Sequence, residues 1–258
     1  MKGENGSIPA FARDILQTLE GAGHEAYCVG GCVRDTLLGR TPGDWDITTS
    51  ARPEETLALF GADALPTGLR HGTVTVRRPD GSAEVTTFRR DGDYTDHRHP
   101  ESVAFTDSLT EDLARRDFTV NAMALSLRGE LRDPFHGRED LAAGCIRCVG
   151  EPARRFGEDA LRILRGLRFA AVLGFAIEPE TAAALSAARE DLRAIAPERI
   201  LTEVRKLLAA ERPSAVLREF PEVFGVFWPE LLPMLGYDQR NFHHCYDLRE
   251  HTLHALDA

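Results

Sequence analysis

The stretch Tyr27-Cys28-Val29-Gly30-Gly31-Cys32-Val33-Arg34-Asp35, followed by Gly43-Asp44-Trp45-Asp46-Ile47, constrains this chain more than any other. An apolar strand runs into a diglycine and out into a helix. Gly30 and Gly31 permit a tight turn and a close approach of backbone to a ligand, and a helix start presents free N–H groups to an anion. Arg34 adds a planar, permanently charged fork suited to phosphate oxygens. Asp44 and Asp46, two residues apart in a strand, point to one face with Trp45 on the other. Adjacent carboxylates resist joint ionisation unless a cation sits between them. Hard oxygen ligands suit magnesium, which also bridges substrate phosphates. Neither the diglycine nor Asp-x-Asp is specific alone; their order and proximity point to metal-assisted chemistry on a phosphorylated substrate.

The 258 residues allow one large domain or two smaller ones, and 43% hydrophobic residues suffice for a core. No apolar run approaches the ~20 residues that span a bilayer. Met1 to Pro9 lacks the basic start and apolar centre of a secretory signal, so a cytoplasmic protein is expected. Five cysteines, an odd and scattered set, argue against a disulfide scaffold. Cys145-x-x-Cys148 has zinc or redox spacing, but no second pair lies at ribbon distance. In a strand the two thiols face opposite ways, so they read as structural. A net charge of −10 excludes a general nucleic-acid binder, and any RNA contact must be local. Lys2 and Lys206 are the only lysines; arginine abundance reflects composition, and only arginine position is informative.

Ile8 to Glu20 has helical apolar spacing and ends at Gly21 and Gly23. His24 to Val29 reads as the strand entering the glycine turn, Val33 to Leu38 as the helix leaving it, and Asp46 to Thr49 as the second strand. Pro53, followed by acids, starts another helix. Thr73 to Arg77 and Glu84 to Phe88, around Pro79-Asp80-Gly81, form a hairpin signal. If these strands join the sheet of Asp44 and Asp46, Glu84 becomes a third carboxylate there. Asp91 to Pro100 is long, charged and aperiodic, which suits a mobile functional loop. Arg115, Arg116, Asp117 and Asn121 then stand beside core-like Phe118, Val120 and Met123, where an exposed salt-bridged helix end is the plain alternative. A strand near Cys145 to Val149 closes the first domain.

From Glu151 the pattern is helical, with Phe156-Gly157-Glu158-Asp159 capping a long helix through about Leu173. At ~100° per residue, Ala160, Ile163, Leu164, Leu167 and Ala171 share a face. Asp159, Arg162, Arg165 and Arg168 form the opposite stripe, with Phe169 among them. Planar donors, an acceptor and an aromatic are the chemistry for reading a base edge and gripping phosphate, against the alternative of a solvated stripe. Amphipathic helices follow at Thr181 to Leu192, Pro197 to Ala210 and Pro213 to Phe220. Pro221 to Tyr237 is loop-rich, and the chain ends in a helix start.

Three motifs in this order, Gly30-Gly31-Cys32-Val33-Arg34-Asp35 with Asp44-x-Asp46, Arg115-Arg116-Asp117-Phe118-Thr119-Val120-Asn121-Ala122, and Glu158-Asp159-Ala160-Leu161-Arg162, resemble class II tRNA nucleotidyltransferases. These are the CCA-adding enzymes and related bacterial poly(A) polymerases of the DNA polymerase β superfamily. The resemblance implies an α+β fold: a polymerase-β-like head with a mixed β-sheet over 1–149, an all-α neck over 150–211, and the start of a helical body over 212–258. It implies Asp44 and Asp46 as ligands of Mg2+, with Glu84 as the third catalytic carboxylate. Gly31 and Arg34 would grip the triphosphate, with Arg116 and Asp117 at phosphate and ribose. Gly30, Asp35 and Asn121 complete the nucleotide-binding motifs. Asp159 and Arg162 would read the Watson–Crick edge of CTP or ATP, with Arg165 and Arg168 toward the phosphates. The substrate would be a tRNA 3′ end, and the loop at Asp91 to Pro100 would serve the switch from C to A. A-adding enzymes and poly(A) polymerases share these motifs and stay open as alternatives. Tyr246-Asp247-Leu248-Arg249-Glu250-His251-Thr252-Leu253 resembles the opening of an HD phosphohydrolase domain. The later His-Asp doublet is not in the sequence, so an HD hydrolase is remote and the chain is expected to stop partway through that domain.

Overall fold

The computed structural model describes residues 8–92, 103–243 and 245–258. By their contacts they form two units, residues 8–92 with 103–141, and Ala142–Ala258.

The first unit holds strands β1 (Ala26–Val29), β2 (Asp46–Thr49), β3 (Ala64–Gly68), β4 (Thr73–Arg78) and β5 (Gly81–Thr87). A separate antiparallel pair, β6 (Arg89–Asp91) and β7 (Val103–Phe105), follows, then β8 (Ala124–Leu125) and β9 (Leu131–Arg132). Seven of these make one mixed sheet in the order β3-β4-β5-β2-β1-β8-β9. Helix α1 (Ala10–Gly21) packs on it because Ala12, Ile15, Leu16 and Leu19 form a single apolar stripe, all fully buried. Each of the three larger side chains contributes ~1.5–3 kcal/mol of burial. Helices α2 (Gly31–Leu37), α3 (Pro53–Phe60), α4 (Leu109–Ala114) and α5 (Gly137–Ala143) connect the strands. Pro53 sits at the first turn of α3, as its spacing predicts.

Strand pairing places the chemistry. β1 and β2 are antiparallel with Val29 opposite Asp46, so the turn that leaves β1 and the residue that opens β2 share one end of the sheet. β2 and β5 are parallel with Asp46 opposite Glu84. Residues paired in register on adjacent strands put their side chains on the same face, and the hairpin strand therefore delivers Glu84 beside Asp46. β2 has the bounds expected from sequence, and Asp44 lies two residues before its start. The alternation nonetheless holds: Trp45 is buried, and Asp44 and Asp46 are exposed.

The second unit carries β10 (Cys145–Ile146), paired in parallel with β11 (Ala176–Ile177). The strand expected near Cys145 therefore forms, but its hydrogen-bonding partner follows the first long helix of this unit. Helices α6 (Pro152–Glu158), α7 (Leu161–Leu173), α8 (Pro179–Ala187), α9 (Pro197–Leu208), α10 (Ser214–Glu219), α11 (Pro221–Phe224) and α12 (Leu248–Leu256) make up the rest. α7 packs on α9, with Ile163, Leu164, Leu167 and Val204 buried. The final helix is not isolated. Arg218 of α10 pairs with Glu250 of α12 at 2.9 Å, and Ser214 Oγ donates to Asp257 Oδ2 at 2.5 Å.

The expected single helix from Phe156 to Leu173 is two helices, a correction to that expectation. Asp159 between them is extended, at φ −142° and ψ 104°. Its side chain takes the N-terminal capping role: Asp159 Oδ1 accepts from the Leu161 N–H at 3.0 Å. An aspartate satisfied by capping favours a helix start over a helix interior.

Candidate functional site

At the turn after β1, Gly30 has φ 81° and ψ −134°, a conformation available in practice only to glycine. A β-carbon there would lie 3.1 Å from Arg116 Nη1 and 3.8 Å from Asp46 Oδ2. The diglycine thus serves close approach: it lets the backbone lie against the arginine and the carboxylate at once.

Asp44, Asp46 and Glu84 line one cleft of about 690 Å³, with Asp80, Thr75 and Ser82. Protein packed around Asp46 pushes its carboxyl above the usual carboxylate range, even though the residue is exposed at the cleft. Arg116 opposes that rise, and Glu84 and Asp44 add to it. Burial in turn holds Arg116 below the ordinary guanidinium value against the attraction of Asp112 and Asp46. Its Nε is buried with no hydrogen-bond partner among the described residues.

Behind this cleft, a buried network joins the first two motifs. Arg34 donates through Nε to Asp35 Oδ1 at 2.9 Å and through Nη1 to Asn121 Oδ1 at 2.7 Å. Asn121 Nδ2 donates to Asp117 Oδ1 at 3.3 Å, which also accepts the Phe118 N–H at 2.8 Å. Arg34, Asp117 and Asn121 are all buried. The plain alternative of an exposed salt-bridged helix end does not hold for Asp117 and Asn121: α4 stops at Ala114, and the chain turns inward through a 3-10 segment, Thr119–Asn121. Gly137 makes this turn possible, since a β-carbon there would collide with the Thr119 carbonyl at 2.1 Å.

Sequence reasoning missed Asp112. Fully buried, it accepts from Arg115 Nε and Thr48 Oγ1, each at 2.9 Å, and its carboxylate lies 3.8 Å from Arg116 Nη2. Burial alone would raise its pKa; Arg115, Arg116 and the Thr48 hydroxyl outweigh burial and hold it below the usual range. The i, i+3, i+4 spacing of Asp112, Arg115 and Arg116 was the available signal.

The remaining expected site residues lie in the second unit. Arg162 is buried and turns back along α6, donating through Nη1 to Glu158 Oε2 at 2.8 Å and to the Arg155 carbonyl at 3.1 Å. The expectation that Arg162, Arg165 and Arg168 form one accessible stripe is corrected for Arg162. Arg168 donates to buried Glu203 of α9 at 2.5 Å and stacks over Phe169, its guanidinium carbon 4.0 Å from the ring centroid. Arg165 lies over the same ring at 5.5 Å. Across from Asp159, Arg199 of α9 approaches at 3.6 Å. Neither Arg199 nor Glu203 was picked out from sequence, and Glu158 was read only as part of a motif.

No disulfide joins the cysteines among the described residues. Among the described residues no three His, Cys, Asp or Glu side chains form a closed metal cage. The donor set still fits a hard divalent cation. Magnesium keeps several waters and needs only one or two carboxylates besides substrate phosphates, and the raised Asp46 beside Glu84 and Asp44 is relieved by such an ion. No helix among the described residues is long and apolar enough to cross a membrane. Of the expected loop at Asp91 to Pro100, residues 93–100 lie outside the described residues.

A strand, a diglycine turn and a helix, set against register-paired acids in a mixed sheet, define a polymerase-β-like nucleotidyltransferase head. Comparison with known proteins agrees. Residues 26–147 match the Poly A polymerase head domain, and residues 174–223 match the probable RNA and SrmB-binding site of polymerase A. The CCA-adding enzyme of Oceanobacillus iheyensis is 48% identical over 207 residues, 80% of this chain and 52% of that protein. That of Levilactobacillus brevis is 50% identical over 209 residues, 81% of this chain and 52% of the relative. Among solved structures, the Bacillus stearothermophilus CCA-adding enzyme in complex with CTP superposes with a TM-score of 0.75 at 45% identity, covering 82% of this chain and 52% of that one. The Thermotoga maritima CCA-adding enzyme complexed with tRNA gives 0.71 at 27% identity, covering 91% and 55%. The chain spans about half the length of these relatives. It belongs to the family of tRNA nucleotidyltransferases and poly(A) polymerases.

Proposed function

We propose that this chain carries the catalytic head and nucleotide-selecting neck of a CCA-adding enzyme, a cytoplasmic protein that extends tRNA 3′ ends with CTP and ATP and releases pyrophosphate. The head would span 1–149, the neck 150–211 and the start of a body 212–258. The observation that carries the reading is the Asp46–Glu84 register pair beside the Gly30 turn and half-buried Arg116. Similarity to enzymes named CCA-adding, one of them crystallised with CTP and one with tRNA, supports the choice of substrate.

In this reading Asp44 and Asp46 hold Mg2+, which, when bound, activates the 3′-hydroxyl and neutralises the triphosphate. Glu84 completes the acidic cleft and orients the metal-bearing carboxylates. The Gly30–Gly31 backbone and Arg34, fixed through Asp35 and Asn121, receive the triphosphate, and Arg116 and Asp117 face phosphate and ribose. Asp159 would accept from the exocyclic amine of cytosine or adenine. Arg162 would have to turn from Glu158 and the Arg155 carbonyl to donate to the ring nitrogen, and Arg165 with Arg168, the latter held by Glu203, would supply positive charge toward the phosphates.

The Poly A polymerase head match favours one competitor, an A-adding enzyme or poly(A) polymerase. Three tRNAs, ending before CCA, after the first C and after CC, separate the readings. Ordered addition of C, C and A establishes the first. Addition of A alone to the third, or long A tails on any RNA, establishes the second.

A further inference from the structure

Asp159 is held in an unusual way. Its Oδ1 is satisfied by the Leu161 N–H, while Oδ2 faces Arg199 at 3.6 Å, inside ion-pair range but beyond a hydrogen bond. That oxygen keeps its accepting capacity for another donor. Arg199 Nη1 is meanwhile buried with no hydrogen-bond partner among the described residues. A buried donor left unmet is unfavourable for folding, so this position is not explained by the hydrogen bonds it makes. Arg162, the cation nearest in sequence, is engaged by Glu158 and the Arg155 carbonyl.

We propose that Arg199 is a positioning residue for base selection, holding Asp159 as a hydrogen-bond acceptor so that the site takes amino-bearing cytosine and adenine and refuses keto-bearing uracil and guanine. The inference rests on the reading of Asp159 as the base-reading carboxylate. An ionised carboxylate only accepts, and a protonated one also donates. Cytosine at C4 and adenine at C6 present an exocyclic amine as donor, whereas uracil at C4 and guanine at C6 present a carbonyl. A neutral Asp159 would therefore serve the wrong bases. Its surroundings push that way: burial raises the Asp159 pKa, and the opposing charges are Arg199 from α9 and Arg162 and Arg165 from α7. From α6, Arg155 and Glu158 adjoin the same turn, where they bind each other at 2.8 Å. Burial already outweighs these charges, and removing Arg199, the foremost of them, pushes the carboxyl further up.

The test is equilibrium binding of CTP, ATP, UTP and GTP to the full chain as a function of pH. Wild type, Arg199→Gln, Arg199→Lys and Asp159→Asn are compared. The ratio of CTP to UTP affinity on one preparation does not depend on how much of that preparation is folded. Arg199→Gln is expected to lower this ratio about tenfold, the size of one lost hydrogen bond to a charged group, and to move the pH at which discrimination is lost upward. Arg199→Lys, which keeps the charge, restores most of both. Asp159→Asn removes the pH dependence. An unchanged ratio and unchanged pH profile in Arg199→Gln overturn the proposal, even if all four nucleotides bind more weakly, because that is the signature of a structural role. A wild type that shows no preference for CTP and ATP overturns the reading of Asp159 itself, and a wild type with the preference but no change in Arg199→Gln overturns only the role of Arg199.

Discussion

Replacing Gly30 by alanine tests the coupling between turn and carboxylate most sharply. The residue sits at φ 81° and ψ −134°, where an L side chain is strained by about 1–3 kcal/mol. The new β-carbon also meets Arg116 Nη1 at 3.1 Å, and relief requires the arginine to move. Arg116 is confined, with Asp112 3.8 Å from its Nη2. Displacing a catalytic group by even ~1 Å can cost about a hundredfold in rate. Gly30→Ala should therefore lose ~1–3 kcal/mol in urea unfolding and, separately, ~10–100-fold in nucleotide transfer. Gly39→Ala is the control: φ there is 69°, but nothing lies within 4 Å. It carries backbone strain of ~1–2 kcal/mol and should transfer normally. A Gly30→Ala protein that transfers at the wild-type rate, or a Gly39→Ala protein equally slowed, would refute the close-approach argument.

Asp112→Ala strips a fully buried acid from Arg115, Arg116 and Thr48, and urea unfolding should show a loss of ~3–5 kcal/mol. The folded Asp112 carboxyl titrates below its unfolded value. Its contribution is thus present above the usual aspartate pKa of about 3.9 and is lost as pH falls through the lower folded value; Asp112→Asn should lack this acid-sensitive component in unfolding titrations. Asn121→Ala cuts the link between Arg34 and Asp117 and removes two hydrogen bonds between buried residues. It should cost ~1–3 kcal/mol and raise the KM for nucleotide, read from unfolding and from steady-state kinetics.

Much of the head was legible because its signals are local. A strand, two glycines and a helix need no distant partner to be read, and α1 announces itself through Ala12, Ile15, Leu16 and Leu19. Glu84 was legible only conditionally, since its place beside Asp46 depends on which strand β5 pairs with. The helical wheel over Phe156 to Leu173 found the apolar face of α7 but misplaced Asp159, because capping by an aspartate broke the regular angle. Arg168 with Glu203, and Asp159 with Arg199, join residues far apart in the chain through the packing of α7 on α9. Amphipathic spacing shows that such helices pack, not which charged groups they bring into contact.

The central claim is that the acidic cleft beside the Gly30 turn transfers nucleotides to RNA. Its most direct measurement is magnesium-dependent incorporation of labelled CTP into tRNA lacking its 3′ CCA, by wild type and by Asp46→Asn, with urea unfolding run in parallel. Asp46 is exposed, so the substitution should leave stability within about 0.5 kcal/mol while incorporation disappears. Incorporation that survives intact in a folded Asp46→Asn protein would contradict the account.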